Sequence, residues 1–113
     1  MMAHREFKDL LYAQFARIGH ALASPKRIEL LDLLAQGEKS VEPLADQSAT
    51  AIKNTSAHLR VLRQARLVET RREGTYVYYR LADADVSRLV RDRRAEEGLP
   101  EWRGAGFPVV KAM

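Results

Sequence analysis

The chain contains no cysteine. That one absence excludes disulfides, thiolate metal ligands and cysteine nucleophiles. Long hydrophobic runs are missing too, and no stretch approaches the ~20 apolar residues that a membrane span needs. The opening residues MMAHREFKDLL carry acidic side chains and no signal-type apolar core. A cytoplasmic protein with no membrane partner is therefore expected. There is no glycine-rich phosphate loop and no pair of carboxylates in a plausible cleft, so enzymatic activity is not expected.

What is present is ordinary in bulk and uneven in placement. With 113 residues, 46% apolar and 30% charged, the chain fits one globular domain with a small core. Its net charge is +4, which alone says little. Between Lys53 and Arg80, however, stand seven basic residues (Lys53, Arg60, Arg63, Arg66, Arg71, Arg72 and Arg80) against only Glu69 and Glu73. In the rest of the chain, 12 basic and 13 acidic residues nearly cancel. The excess positive charge is thus gathered in one quarter of the sequence, which points to an anionic partner rather than a merely solvated helix face.

Periodicity supplies the elements. Phe7, Leu11, Phe15, Ile18 and Leu22 recur at helical spacing over residues 4 to 22, with Leu10 and Tyr12 widening the stripe. Ser24-Pro25 reads as an N-cap and first helical position, opening a second helix that Gly37 stops. Ser40 is expected to cap a short third helix with Leu44 and Ala45 inward. A fourth helix follows "DQSAT", with Ile52, Thr55, Leu59 and Leu62 expected inside and Lys53, Asn54, Ala57, His58 and Arg60 outside. Two strands, Leu67–Arg72 and Thr75–Leu81, are expected to meet at a Glu73-Gly74 turn. Asp83 can cap a last helix through Val86, Leu89 and Val90.

This order gives a mainly α fold with a β-hairpin wing: a winged helix-turn-helix, with four helices, two strands and a fifth helix. Residues 1–97 form the domain, and residues 98–113 form a tail. A helix of ~10–12 Å diameter fits the major groove of double-stranded DNA, and a projecting hairpin reaches the neighbouring backbone or minor groove. Asn54 suits two-toothed pairing with adenine, Lys53 suits guanine or a phosphate, and His58 suits a base edge. Thr50 and Ser56 are short hydroxyl residues fit for phosphate or base contacts, with Ala57 on the same exposed face. Arg60 and Arg63 lie further along, where phosphates run. Arg71, Arg72 and Thr75 mark the wing tip, where arginine can enter a narrow minor groove. The tyrosines Tyr76, Tyr78 and Tyr79 read as hairpin packing rather than as platforms for bases.

The stretches "LASPKRIELLDLLAQGEKSVEPLA" and "NTSAHLRVLRQARLVETRREGTYVYYRL" resemble the ArsR-type winged helix-turn-helix repressors over about residues 10 to 92. The resemblance implies a homodimer on a palindromic operator, joined through the first and last helices. On this chain the positions are Phe7, Leu10, Leu11, Phe15, Val86, Leu89 and Val90. Departures from the family pattern bear on the effector. Metal sensors of the family often carry Cys-x-Cys where this chain has Ser40-Val41-Glu42, and a second family site uses a histidine that the stretch 83–97 lacks. No metal and no cofactor are expected, and a small-molecule effector stays unidentified. Where the family usually has a capping serine, this chain has Ala51, so Thr50 is expected to cap the recognition helix instead.

The segment "EEGLPEWRGAGFPV" (96–109) resembles the closing stretch of a rhodanese domain. Some ArsR-type regulators are fused to a rhodanese and carry "NTSxHL" recognition helices, and the chain resembles such a fusion with the intervening body missing. Sulfur transfer itself needs a cysteine and is excluded. By the bland reading, Trp102, Phe107 and the prolines cover core or dimer surface. The alternative functional reading is a winged-helix interaction module that docks a protein partner through the Trp102 tail and binds DNA only non-specifically.

Overall fold

The computed structural model describes residues 3–88 and 90. Leu89, the rhodanese-like tail and Trp102 lie outside the described residues. Helix α1 spans His4–Leu22, and the Glu6 side chain accepts from the Ala3 amide at 3.0 Å at its start. Helix α2 spans Pro25–Ala35. There Ser24 Oγ accepts from the Arg27 amide at 3.2 Å, and Pro25 occupies a first-turn position, as expected. Strand β1 (Lys39–Ser40), helix α3 (Val41–Gln47) and helix α4 (Ile52–Gln64) follow. The hairpin is β2 (Val68–Glu73) and β3 (Tyr76–Leu81). Residues 84–88 are helical again, with Asp83 Oδ1 accepting from the Val86 amide at 3.0 Å.

The expected architecture is observed with one addition. Lys39 and Ser40 pair antiparallel with Tyr79 and Tyr78, so the sheet has three strands in the order β1-β3-β2. Ser40 does precede α3, but its hydroxyl makes no cap hydrogen bond. The hairpin turn is shifted by one residue from the Glu73-Gly74 expectation. Glu73 pairs with Tyr76, so the two turn residues are Gly74 and Thr75. Gly74 has φ 64, which a glycine at the first central position adopts without steric cost.

The core is aliphatic. Leu30, Leu44, Leu59 and Leu62 are fully buried, with Leu31, Leu34, Leu67 and Val68 beside them. Each such side chain contributes about 1.5–3 kcal/mol by leaving water. Tyr79, Leu81 and Val86 pack against this cluster. On α4 the inward positions are Thr55, Leu59 and Leu62. Ile52, expected inside, is 50% exposed at the first residue of the helix. Among the described residues, no helix is long and apolar enough to cross a membrane.

Candidate nucleic-acid interface

Helices α3 and α4 are joined by residues 48–51, and the turn is built from backbone geometry. Ala49 takes φ 55. Its amide donates to Asp46 O at 3.1 Å and that of Thr50 to Ala45 O at 2.9 Å. These two bonds form a Schellman closure, which normally employs glycine at the left-handed residue. Lys26 on α2 pins the turn from outside, its Nζ donating to Ser48 O at 2.6 Å. Inside, Ser48 Oγ donates to Leu44 O at 2.7 Å. The turn is therefore anchored on three sides before α4 begins.

Helix α4 starts without a side-chain cap, since Ala51 holds the N-cap position. Thr50 does not replace it: its hydroxyl donates to Ser48 O at 3.0 Å, which corrects the expectation of a Thr50 cap and turns that hydroxyl into the bend. The first-turn amides of α4 thus lack a side-chain acceptor and carry the positive end of the helix dipole. With Thr55 and Leu59 buried, helical spacing brings Lys53, Ala57, Arg60 and Gln64 onto the opposite side, all exposed. Asn54 is exposed beside them, while Ser56 and His58 are half-buried. Arg63 in the last turn of α4 and Arg66 just past its end continue the basic strip. There Arg66 takes φ 65 in a second closure, with the Leu67 amide donating to Leu62 O at 3.0 Å.

The wing divides its arginines. Arg71 is held by both oxygens of Glu38 (2.8–3.0 Å) and by Glu73 at 2.8 Å, and it lies 4.8 Å over the Tyr78 ring. Its guanidinium holds the Glu38 carboxyl below the usual carboxylate range, and the two carboxylates push its own pKa further up. Arg80 is likewise paired, with Glu69 at 2.6 Å. Arg71 is thus a strut tying the hairpin to the loop before β1. Arg72 and Thr75 stay exposed at the tip. Tyr76 and Tyr78 sit with ring centroids 6.2 Å apart, packing along the hairpin.

Among the described residues, Lys53, Arg60, Arg63, Arg66 and Arg72 have no carboxylate partner. They run from the start of α4 to the wing. His58, expected to project freely, instead sits with Nδ1 3.2 Å from Arg27 Nη1. Burial, then Arg27 and Lys26, lower its pKa from the ordinary imidazole value. Arg27 and Glu38 were not singled out from the sequence. Their partners are 31 and 33 residues away, and no local spacing signals such contacts.

Away from this strip, α1 exposes Phe7, Leu10 and Phe15 at 54%, 59% and 60%, with Leu11 and Tyr12 between them. Val86 is half-buried. Val90 is only 5% exposed, as part of the chain's own core.

The family model for bacterial regulatory proteins of the arsR family matches residues 24–70. That span holds α2 through the start of the wing. Over 89 residues the chain is 47% identical to the HTH-type transcriptional regulator Rv0324 of Mycobacterium tuberculosis; the match covers 79% of this chain and 39% of that protein. It is 43% identical over 79 residues to a transcriptional repressor SmtB homolog of Synechocystis, covering 70% of this chain and 60% of that one. The chain therefore spans less than two thirds of each of these two curated relatives. Among solved structures, the homodimeric winged helix-turn-helix DNA-binding domain of Mb0332 from Mycobacterium bovis superposes with a TM-score of 0.75 at 44% identity. That match covers 89% of this chain and 95% of the other.

Proposed function

This chain belongs to the ArsR family of bacterial regulatory proteins, and on that premise we propose that it is a homodimeric DNA-binding repressor of transcription. Two copies bind a palindromic operator, each laying α4 in the major groove with its wing on the adjoining backbone. One observation carries the reading. Between the start of α4 and the wing tip, Lys53, Arg60, Arg63, Arg66 and Arg72 are exposed and without a carboxylate partner among the described residues, whereas Arg71 and Arg80 are neutralised within the hairpin. Unpaired cations on the helix and the wing are the ones that can displace counterions from DNA phosphates.

Within the strip, Lys53 and Asn54 meet base edges, and Arg60 and Arg63 meet phosphates. The first-turn amides of α4 suit a phosphate as well. Dimerisation is supported by the apolar α1 face, whose Phe7, Leu10, Leu11 and Phe15 are more exposed than a lone small domain ordinarily leaves them. Such a dimer represses by covering a promoter. Its effector is not a thiolate-bound metal, since the chain has no cysteine. A gel shift at moderate salt, with the duplex upstream of the protein's own coding region against a scrambled one, tests the proposal. A specific complex is expected. Equal, weak retardation of both duplexes by folded protein favours the interaction-module alternative instead.

A further inference from the structure

Arg27 stands on α2, outside the basic strip, yet three helices meet on its guanidinium. Nε donates to Ala21 O at 2.8 Å and Nη2 to His20 O at 2.9 Å, both in the last turn of α1. Nη1 lies 3.2 Å from His58 Nδ1 on α4. The Arg27 backbone is fixed in turn by the Ser24 cap. A guanidinium has only donors, so the Nδ1 it meets must be the lone-pair nitrogen, and the ring proton must reside on Nε2. Nε2 lies across the ring from Nδ1, so the proton-bearing side is turned away from Arg27. His58 itself is one helical turn beyond exposed Asn54.

We infer that Arg27 is a positioning residue for base readout: it fixes His58 as a neutral Nε2–H donor and ties the recognition helix to the end of α1. The inference rests on the reading of α4 as the groove-entering helix. A neutral Nε2–H donor selects base-edge acceptors such as guanine O6 and N7, adenine N7 or thymine O4, and disfavours the cytosine amino group. A protonated ring has no acceptor for Arg27 and repels it. The charges acting on His58 are Arg27 and Lys26, both from α2. From α1 come the His20 and Ala21 carbonyls, acting through Arg27, and α3 and β2 contribute no charge that shifts it among the described residues. With its pKa lowered, the native ring holds fewer protons than the unfolded chain just below the ordinary imidazole value. The locked arrangement is therefore complete above that range and is lost as pH falls through the native value.

The test uses the full chain, labelled with 15N for imidazole correlation spectra, together with the upstream and scrambled duplexes. In wild-type protein, His58 is expected as the Nε2–H tautomer with a pKa below the ordinary value. In Arg27→Met it populates both tautomers and titrates nearer that value. Discrimination between the duplexes is expected to hold steady at and above neutral pH and to fall several-fold on acidification. In Arg27→Met the fall begins at higher pH. His58→Gln, which offers an amide donor without titrating, alters the discrimination itself but removes its dependence on pH over that interval. An Nδ1–H ring, or tautomer and titration unchanged by Arg27→Met in folded protein, overturns the inference. So does discrimination in wild type that is indifferent to pH. Should Arg27→Met fail to fold, wild type against His58→Gln decides alone. If folded wild type discriminates neither duplex, the groove-entry reading fails and takes this role with it, whereas the tautomer measurement needs no DNA and separates the two failures.

Discussion

Arg71 and Arg72 are adjacent in sequence and opposite in surroundings: one is clasped by Glu38 and Glu73, the other stands exposed without a carboxylate. Arg72→Ala is therefore expected to flatten the salt dependence of duplex binding by about one unit of slope per protomer. Arg71→Ala should change the slope less and loosen the wing more, and affinities measured across a salt series separate the two. Asn54→Ala should mainly relax base preference, by about 1–3 kcal/mol at the affected position. The Arg71–Glu38 tie has a pH signature. Glu38 titrates below its ordinary range, so the tie is intact above that range and is lost only as pH falls through the lowered value. Tyr78 ring signals, under the Arg71 guanidinium, should shift over that acidic interval in wild type and not in Glu38→Gln. Lys53, Asn54 and Ala57 were legible from helical spacing alone, because burying Thr55 and Leu59 leaves them no other side. The pairings of Arg71 and His58 were not, since each depends on a residue brought close only by the tertiary fold.

At the scale of elements, the helices were legible, and so were several of their ends, such as the bounds of α1 and the Asp83 cap. Amphipathic spacing and the Ser24-Pro25 signal placed α1 and α2, and the cap at Ser24 is present as read. The bend between α3 and α4 gave no such signal, because its left-handed residue is Ala49 rather than glycine. An alanine there costs about 1–2 kcal/mol in backbone strain, against about 0.5–1 kcal/mol of unfolded-state entropy that a glycine would add. Ala49→Gly is thus expected to stabilise the domain slightly, by up to about 1 kcal/mol in denaturant titration. Strand β1 was missed for a similar reason: two residues cannot display a period of two, and their pairing with Tyr78 and Tyr79 is set by distant sequence. Leu59→Ala, in contrast, removes a fully buried side chain from the α4 stripe and should cost about 2–5 kcal/mol.

For the whole molecule, the proposed dimer brings the basic strip and the apolar α1 face into one scheme. A single α4 covers only a few base pairs, and pairing two copies doubles the contact and imposes two-fold symmetry on the DNA. Replacing Phe7 and Phe15 together with aspartate is expected to give a folded monomer by sedimentation, with duplex affinity reduced by an order of magnitude or more. The most direct measurement is hydroxyl-radical footprinting of the upstream duplex, with the protein-to-DNA ratio taken from the same titration. The account predicts two protomers per site, with symmetric protections centred about one helical turn apart, roughly 34 Å. A saturated complex containing one protomer, or protection spread evenly along the duplex, would contradict it.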